Sequence, residues 1–484
     1  MSMPRHVSVL SPTHFATLVL LSACLGWPGP ARAQTSPAVS TVFAFSGSQA
    51  HSGPIAGPDG ALYGTAVSST STTGGLIYRA APDGTSIRTL YQLRLQDGYT
   101  PQAGLVLGSD GVFYGATRLG NPAETNTSGT IFRIATDGSG FQTLHRFANY
   151  TATNQNSSAI NADGAFPESD LVEGSDGYLY GVTRAGGANG TGVVFKLAKD
   201  GSDFRVLHEF GAITSAADSG IVANGDGASP VGALVAAADG FFYGATSVGG
   251  VNGRGTIYRL QFDGTGFQSL YAFAATTVSG TNLPTNAGGS TPFAGLVDGQ
   301  DGLLYGTAGQ GGANGSGTLF AIAPDGSVFT VLHEFDATNG TQPSGALTLG
   351  RDGRLYGTTF SGGTNSSGSA TNAGTIFAMA RDGTGFSRLH AFEQGEGTNP
   401  IGALLQLSDS VFVGVTQNGA RCSQGTLYRL SLGGDKISGN TSCGQRKDDG
   451  GGAISPGFLL LLGLLGGLRQ VRRGRPGADE NVPA

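Results

Sequence analysis

Histidine is the side chain best suited to acid–base work or metal binding near neutral pH. Four of the seven histidines here stand in one repeated context: His145, His208, His333 and His390, each in a leucine–histidine–x–phenylalanine run. Tyr91 and Tyr271 occupy the same place in sister copies. A catalytic or metal-binding histidine is a single placement, not a periodic one that tyrosine can replace, so these rings are expected to be structural. Aspartates form a second series, each followed by glycine: Asp59, Asp110, Asp176, Asp239, Asp301 and Asp352. Calcium sites need several oxygen ligands converging on one ion. Each of these aspartates is isolated, so they are read as turn residues, with no metal or cofactor expected. A third series, Asn189, Asn252, Asn314 and Asn365, lies in Gly-Gly-x-Asn-(Gly/Ser). Asparagine there suits turns with positive φ, and a polar ring facing a glycan is the competing reading. Non-repeated Glu168, Glu173, Glu396, Arg118 and Arg184 are the candidates for acid–base chemistry of a lyase or hydrolase type. Their spacing makes no nucleophile elbow and no metal-ligand pattern, so catalysis is not expected.

The elements that must carry these residues are seen most plainly in Leu171 to Phe210. Four short apolar runs are separated by Asp176-Gly177, a Gly/Asn loop and Asp200-Gly201. Asp-Gly between β-prone runs is a strong hairpin signal, expected as a type I′ turn. The unit reads as a four-stranded antiparallel meander, and it recurs. Its second strand carries Tyr63-Gly64, Tyr114-Gly115, Tyr180-Gly181, Tyr243-Gly244, Tyr305-Gly306 and Tyr356-Gly357, with Phe412-Val413-Gly414 as a degenerate seventh copy. Glycine makes up 84 of 484 residues, and its fixed offsets point to many tight turns rather than disorder. Seven copies of the first three strands are followed by only six copies of the fourth. The missing one stands at the other end of the chain, Thr41 to Phe45, with no unit before it. An open array has no reason to split a unit, whereas a closed ring uses the split as a latch over free strand edges. The expected fold is all-β: a seven-bladed β-propeller over residues 41–432, the outer strand of its last blade supplied by the N-terminus. Turns one-to-two and three-to-four then share one face. The other face takes the two-to-three loops and the inter-blade connections, including the long stretches 149–166, 211–230, 274–292 and 362–373. Binding residues concentrate on such loops, so Arg118, Arg184, Asn189, Asn252, Asn314 and Asn365 are the candidate binding residues.

Residues 1–33 have the pattern of a signal peptide, with Ala31-Arg32-Ala33 as the cleavage site. Leu21-Ser22-Ala23-Cys24 leaves open a lipobox cut before Cys24. Residues 433–452 form a Gly-rich linker. Residues 453–484 hold sixteen largely apolar positions, short for a permanent membrane span, then Arg469, Arg472, Arg473 and Arg475. Without these two ends the body keeps 21 basic and 31 acidic residues, a net charge of −10. That balance argues against nucleic acid as a partner. Cys422 and Cys443 are an even pair in an exported body and are expected to form a disulfide.

The repeat resembles the GloVer tandem repeat of bacterial exported proteins over roughly Thr41 to Leu432, although blade one departs in its first strand and blade seven lacks Tyr and Asp-Gly. The tail resembles a GlyGly-CTERM sorting signal. That resemblance implies processing near Gly450, Gly451 and Gly452 by a rhomboid-type intramembrane protease, after export machinery has acted, with release or attachment at the outer surface of a Gram-negative cell. Neither family brings a defined activity. The expected function is a non-enzymatic binding or scaffold module for extracellular glycan or protein, with a lyase or hydrolase at the channel mouth as the alternative.

Overall fold

The computed structural model describes residues 36–70, 73–153, 159–215, 222–278, 283–365, 367–420 and 422–437. The expected signal peptide, nearly all of the linker, the sorting tail, Cys443, Ala33 and Gly450 to Gly452 lie outside them. Among the described residues there is no α-helix, and a single 3-10 turn spans Leu95–Asp97.

Seven antiparallel sheets follow the chain as the blades of a propeller. Blade three is typical, with strands Val172–Glu173, Leu179–Thr183, Val193–Leu197 and Arg205–Glu209. The last blade is made of Thr398–Ser408, Val411–Asn418 and Thr426–Ser431, closed by the N-terminal strand Ala38–Ala44. Ala38 lies opposite Ser431 and Ala44 opposite Thr426. The N-terminal strand also shares a detail with the other outer strands. Each skips one residue, at Leu90, Leu144, Leu207, Leu270, Leu332 or Leu389, and the N-terminal strand skips at Val42.

The sequence motif has a local cause in each part. The aspartate of each one-to-two Asp-Gly accepts the hydroxyl of the tyrosine four residues on, as Tyr114 Oη donates to Asp110 at 2.6 Å and Tyr180 Oη to Asp176 at 2.6 Å. The turn itself differs from the type I′ expectation. Gly177 N–H bonds the Gly174 carbonyl, and Gly177 takes φ +78° while Asp176 keeps negative φ. This is a three-residue loop whose last residue is left-handed, and the tyrosine clamp on Asp176 favours it. The glycine after the tyrosine makes room for the neighbouring strand, since a Cβ on Gly115 would come within 2.6 Å of the Phe132 ring.

Blades are joined by repeated devices. Gly129 (φ +106°) opens a third strand, and a Cβ there would press on Pro167 of the next blade at 2.6 Å. Before that proline, Phe166 adopts φ +62° so that its N–H can reach the Ser128 carbonyl of the preceding blade at 2.8 Å. Thr100, Ser229, Thr291, Gln342 and Asn399 repeat the left-handed step before a proline. A left-handed non-glycine costs about 1–3 kcal/mol, so six of them mark a position that packing over-determines. The core lies between blades. One cluster joins Val42, Phe45 and Leu427 of the closing blade to Leu62 and Tyr78 of blade one.

The long stretches 149–166, 211–230 and 274–292 are not featureless. Each holds a small ribbon, Ala152–Thr153 with Ala159–Ile160, Thr214–Ser215 with Val222–Ala223, and Thr277–Val278 with Pro284–Thr285.

Candidate functional site

Most of the repeated polar residues are used up in contacts that hold blades and their loops together. The His145 ring stacks on Phe204 of the next blade at 3.8 Å, His208 on Phe267 at 3.6 Å, His333 on Phe386 at 3.6 Å and Tyr271 on Phe329 at 3.7 Å. His145 Nε2 lies 3.0 Å from Asp163, His208 Nε2 3.1 Å from Asp226, and His390 Nε2 2.8 Å from Glu396. Asn189, Asn252 and Asn314 each donate a side-chain N–H to the carbonyl of Phe210, Phe273 or Phe335. The Asn365 Oδ1 accepts the N–H groups of Ser367 and Ser369. These asparagines therefore serve loops near the outer strands, away from the axis. A further series escaped the sequence reading. Asn161, Asn224 and Asn286 accept the N–H of Gly187, Gly250 and Gly312, tying each ribbon to the following two-to-three loop. Its signal is Asn two residues before an Asp-Gly or Gly-Gly pair.

What lines the axis follows from register. The first strand of each blade pairs with the second-strand Tyr through Ile55, Val106, Val172, Val235, Val297, Thr348 and, opposite Val413, Leu405. Two residues earlier stand Gly53, Gly104, Asp170, Ala233, Gly295, Ala346 and Ala403. Six small residues are needed because the inner strands touch: a Cβ on Gly53 would meet the Ala403 carbonyl at 2.3 Å, and one on Gly295 the Ala233 carbonyl at 2.5 Å. Asp170 is the exception. Its carboxylate accepts the Gly104 N–H of blade two at 2.5 Å and the Ser52 hydroxyl of blade one at 3.3 Å. Burial pushes its pKa up, against the pull of those two donors.

Four residues before the pairing position, the chain places His51, Gln102, Glu168, Val231, Phe293, Ser344 and Ile401 around the mouth on the long-loop face. Here the repeat breaks down into two halves. Glu168 of blade three holds Arg118 of blade two (Nε to Oε1, 2.5 Å) and Arg184 of its own blade (3.5 Å). Arg118 also lies over the Phe166 ring at 4.9 Å. His51 contacts Gln417 of the closing blade at 3.3 Å and Gln49 at 3.2 Å. Burial lowers the His51 pKa, and the nearby Glu168 charge opposes that shift. Apart from Ser344, the opposite half is apolar, with Val231, Ile401 and Phe293, which is 41% exposed.

Of the sequence candidates, Arg118, Arg184 and Glu168 come together here. Glu173 does not. It sits at the opposite end of its strand, bonded to Lys199 and Ser109 among the tight turns. Glu396 is also elsewhere. With Arg388, His390, Glu393, Thr364 and Asn365 it lines a separate rim cavity of about 340 Å³. His51 and Asp170 were missed. Both are visible once each first strand is aligned on the tyrosine it pairs with. Among the described residues no cluster of three or more His, Cys, Asp or Glu could hold a metal, and no helix is long and apolar enough to cross a membrane.

The fold defines a seven-bladed β-propeller with one irregular axial mouth. The pattern of the Gloeobacter/Verrucomicrobia repeat family matches residues 50–287, 221–370 and 281–450. The chain belongs to that family. No curated protein matches the sequence. Solved structures with a similar arrangement include an oligogalacturonate lyase in complex with manganese, with a TM-score of 0.49, 11% identity, and coverage of 83% of this chain and 94% of that one. The periplasmic gluconolactonase of Pseudomonas aeruginosa gives a TM-score of 0.43 at 18% identity, covering 76% and 94%. A nidogen/laminin complex gives 0.39 at 16%, covering 71% and 96%. Likeness at this level says nothing about activity.

Proposed function

We propose that this propeller is a non-enzymatic binding or scaffold module, exported and then anchored at the cell surface or released, that takes an extracellular glycan or protein over its axial mouth. One observation carries the reading. Most of the repeat's polar groups are spent on contacts within and between blades, whereas the residues that break the repeat converge at one end of the axis, in a polar half around Arg118, Glu168, Arg184 and His51 and a more apolar half around Phe293. Pockets that bind combine apolar surface with a few placed polar groups in this way. The signal at residues 1–33 and the Gly450–Gly452 sorting tail supply the route, and a Cys422–Cys443 disulfide would tie the linker back to blade seven. A glycan array and a pull-down with the exported chain test the reading. Binding that is lost on Phe293→Ala or Arg118→Ala is expected, and the absence of any ligand across both screens would count against it.

A second reading is favoured by one detail. His51, whose pKa burial lowers, lies near enough to the Glu168 carboxylate to feel its charge, and a histidine with a carboxylate is a pair that lyases and hydrolases use. It predicts turnover of a peptide or polysaccharide that disappears in both Glu168→Gln and His51→Ala. Binding without turnover would exclude it.

A further inference from the structure

We propose that the mouth recognises a carboxylate-bearing saccharide chain, with Arg184 as the residue that takes the carboxylate and Phe293 as the surface on which a sugar ring lies. This rests on the reading of the mouth as a binding site. Arg118 and Arg184 share the Glu168 carboxylate, so two guanidinium groups stand at one carboxylate on the rim of the mouth. The two arginines are not equivalent. Arg118 is held tightly by Glu168 and lies over Phe166, with its side chain 30% exposed. Arg184 reaches Glu168 only at 3.5 Å, and its side chain is 55% exposed, so it is the more accessible of the two. A guanidinium in that state is suited to a bidentate carboxylate. Glu168 meanwhile holds the two arginines side by side.

The rest of the mouth selects the kind of anion. Gln102 and Gln417 bring side-chain amides to the mouth, a group that both donates and accepts as hydroxyl groups require. Phe293 offers an exposed flat ring. A peptide strand could not add to a sheet here, because the inner strands are closed against one another at Gly53–Ala403 and Gly295–Ala233. Recognition must therefore pass through side chains, which suits a chain of rings with carboxylates along one edge.

The test is calorimetric titration of the full exported chain with galacturonate and mannuronate oligomers and with their methyl esters. The acids should bind at least ten-fold more tightly than the esters, and the difference should shrink with added salt. Arg184→Ala should weaken acid binding about ten- to a hundred-fold, the range of a lost charge-assisted bond, and leave ester binding as it was. Phe293→Ala should weaken both. Arg205→Ala, which removes an exposed charge paired with Asp203 beside a three-to-four turn on the other face, should change neither. Equal binding of acid and ester, lost on Phe293→Ala but not on Arg184→Ala, would overturn the anion assignment and leave the mouth reading standing. Arg184-dependent binding of acidic peptides but not of these oligomers would overturn the saccharide assignment. No binding by any probe, or binding indifferent to every mouth variant, would overturn both.

Discussion

Phe45 is the residue on which ring closure can be measured. It follows the N-terminal strand, is 2% exposed, and lies edge-on to Phe43 at 5.6 Å and to Tyr78 of blade one at 5.5 Å. Its cluster also contains Val413, Val415 and Leu427 of the last blade. Truncating it therefore opens a cavity at the one junction where the two ends of the chain meet. A buried Phe→Ala change costs about 3–5 kcal/mol. For a body of roughly 390 residues, unfolding entropy near 2.1 cal/mol/K per residue gives about 0.8 kcal/mol/K, so Phe45→Ala should lower Tm by about 4–6 °C. Phe210 holds the same place in blade three, where the outer strand follows its neighbours directly, and it is fully buried. Phe210→Ala should give a similar drop. Deleting Thr41 to Phe45 should go further and destabilise the whole ring, since the strand Thr426–Ser431 then loses most of its outer partner. Circular dichroism melts with calorimetry on the three variants provide the comparison. An unchanged Tm for Phe45→Ala or for the deletion would refute the latch, as would a drop confined to a separate early transition while the main one stays in place.

Tyr258 and Tyr78 have buried hydroxyls with no partner, while the Tyr180 hydroxyl donates to Asp176. Tyr258→Phe and Tyr78→Phe should be neutral or stabilising, by up to about 1 kcal/mol, and Tyr180→Phe destabilising by about 1 kcal/mol, read from melting curves. His208→Tyr should keep the stacking on Phe267 and shift stability by less than about 1 kcal/mol, because Tyr271 already makes that contact in blade four. A variant that fails to fold would show that the imidazole does more than stack. Acid should weaken the fold through Asp83, Asp137, Asp200, Asp263, Asp325 and Asp382. Each is held below its ordinary pKa by a Ser or Thr two residues on, as Asp200 is by the Ser202 hydroxyl and N–H. Their contribution is present above the unfolded value near 3.8 and is lost as pH falls through the folded values. Asp170 runs the other way. Its raised pKa means that stability falls as pH rises from the unfolded value near 3.8 toward the folded value, and the loss is complete above it. Asp170→Asn should therefore match or exceed wild-type Tm at pH 7, with the gap closing toward pH 4. A lower Tm at pH 7 would instead show that the Gly104 and Ser52 bonds require the charge.

How much the sequence discloses depends on the distance over which each contact is made. Blade number, strand order and the latch are legible because each rests on neighbours in the chain or on a count. The Asp-Gly turn is half legible. Its place is plain, but the type depends on Tyr180 reaching back to Asp176, a contact that a dipeptide rule omits. The histidines resolve the same way: periodicity says they are structural, and only the structure supplies the partner, a phenylalanine some sixty residues on, as Phe204 is from His145. The mouth is hidden for a further reason. Arg118 and Glu168 are fifty residues apart, and Gln417 and His51 are 366 apart, so they meet only through the register of several blades at once. His51 is doubly concealed because it lies in the one first strand that departs from the repeat. The repeat is nonetheless what makes it recoverable. Where six axial positions must be glycine or alanine because backbones touch, Asp170 stands out as an exception that packing did not choose. The same comparison one step outward separates residues fixed by the ring from residues free to vary at its mouth. In a repeat protein the copies act as internal controls on one another, and function is best sought where they disagree at one place in space.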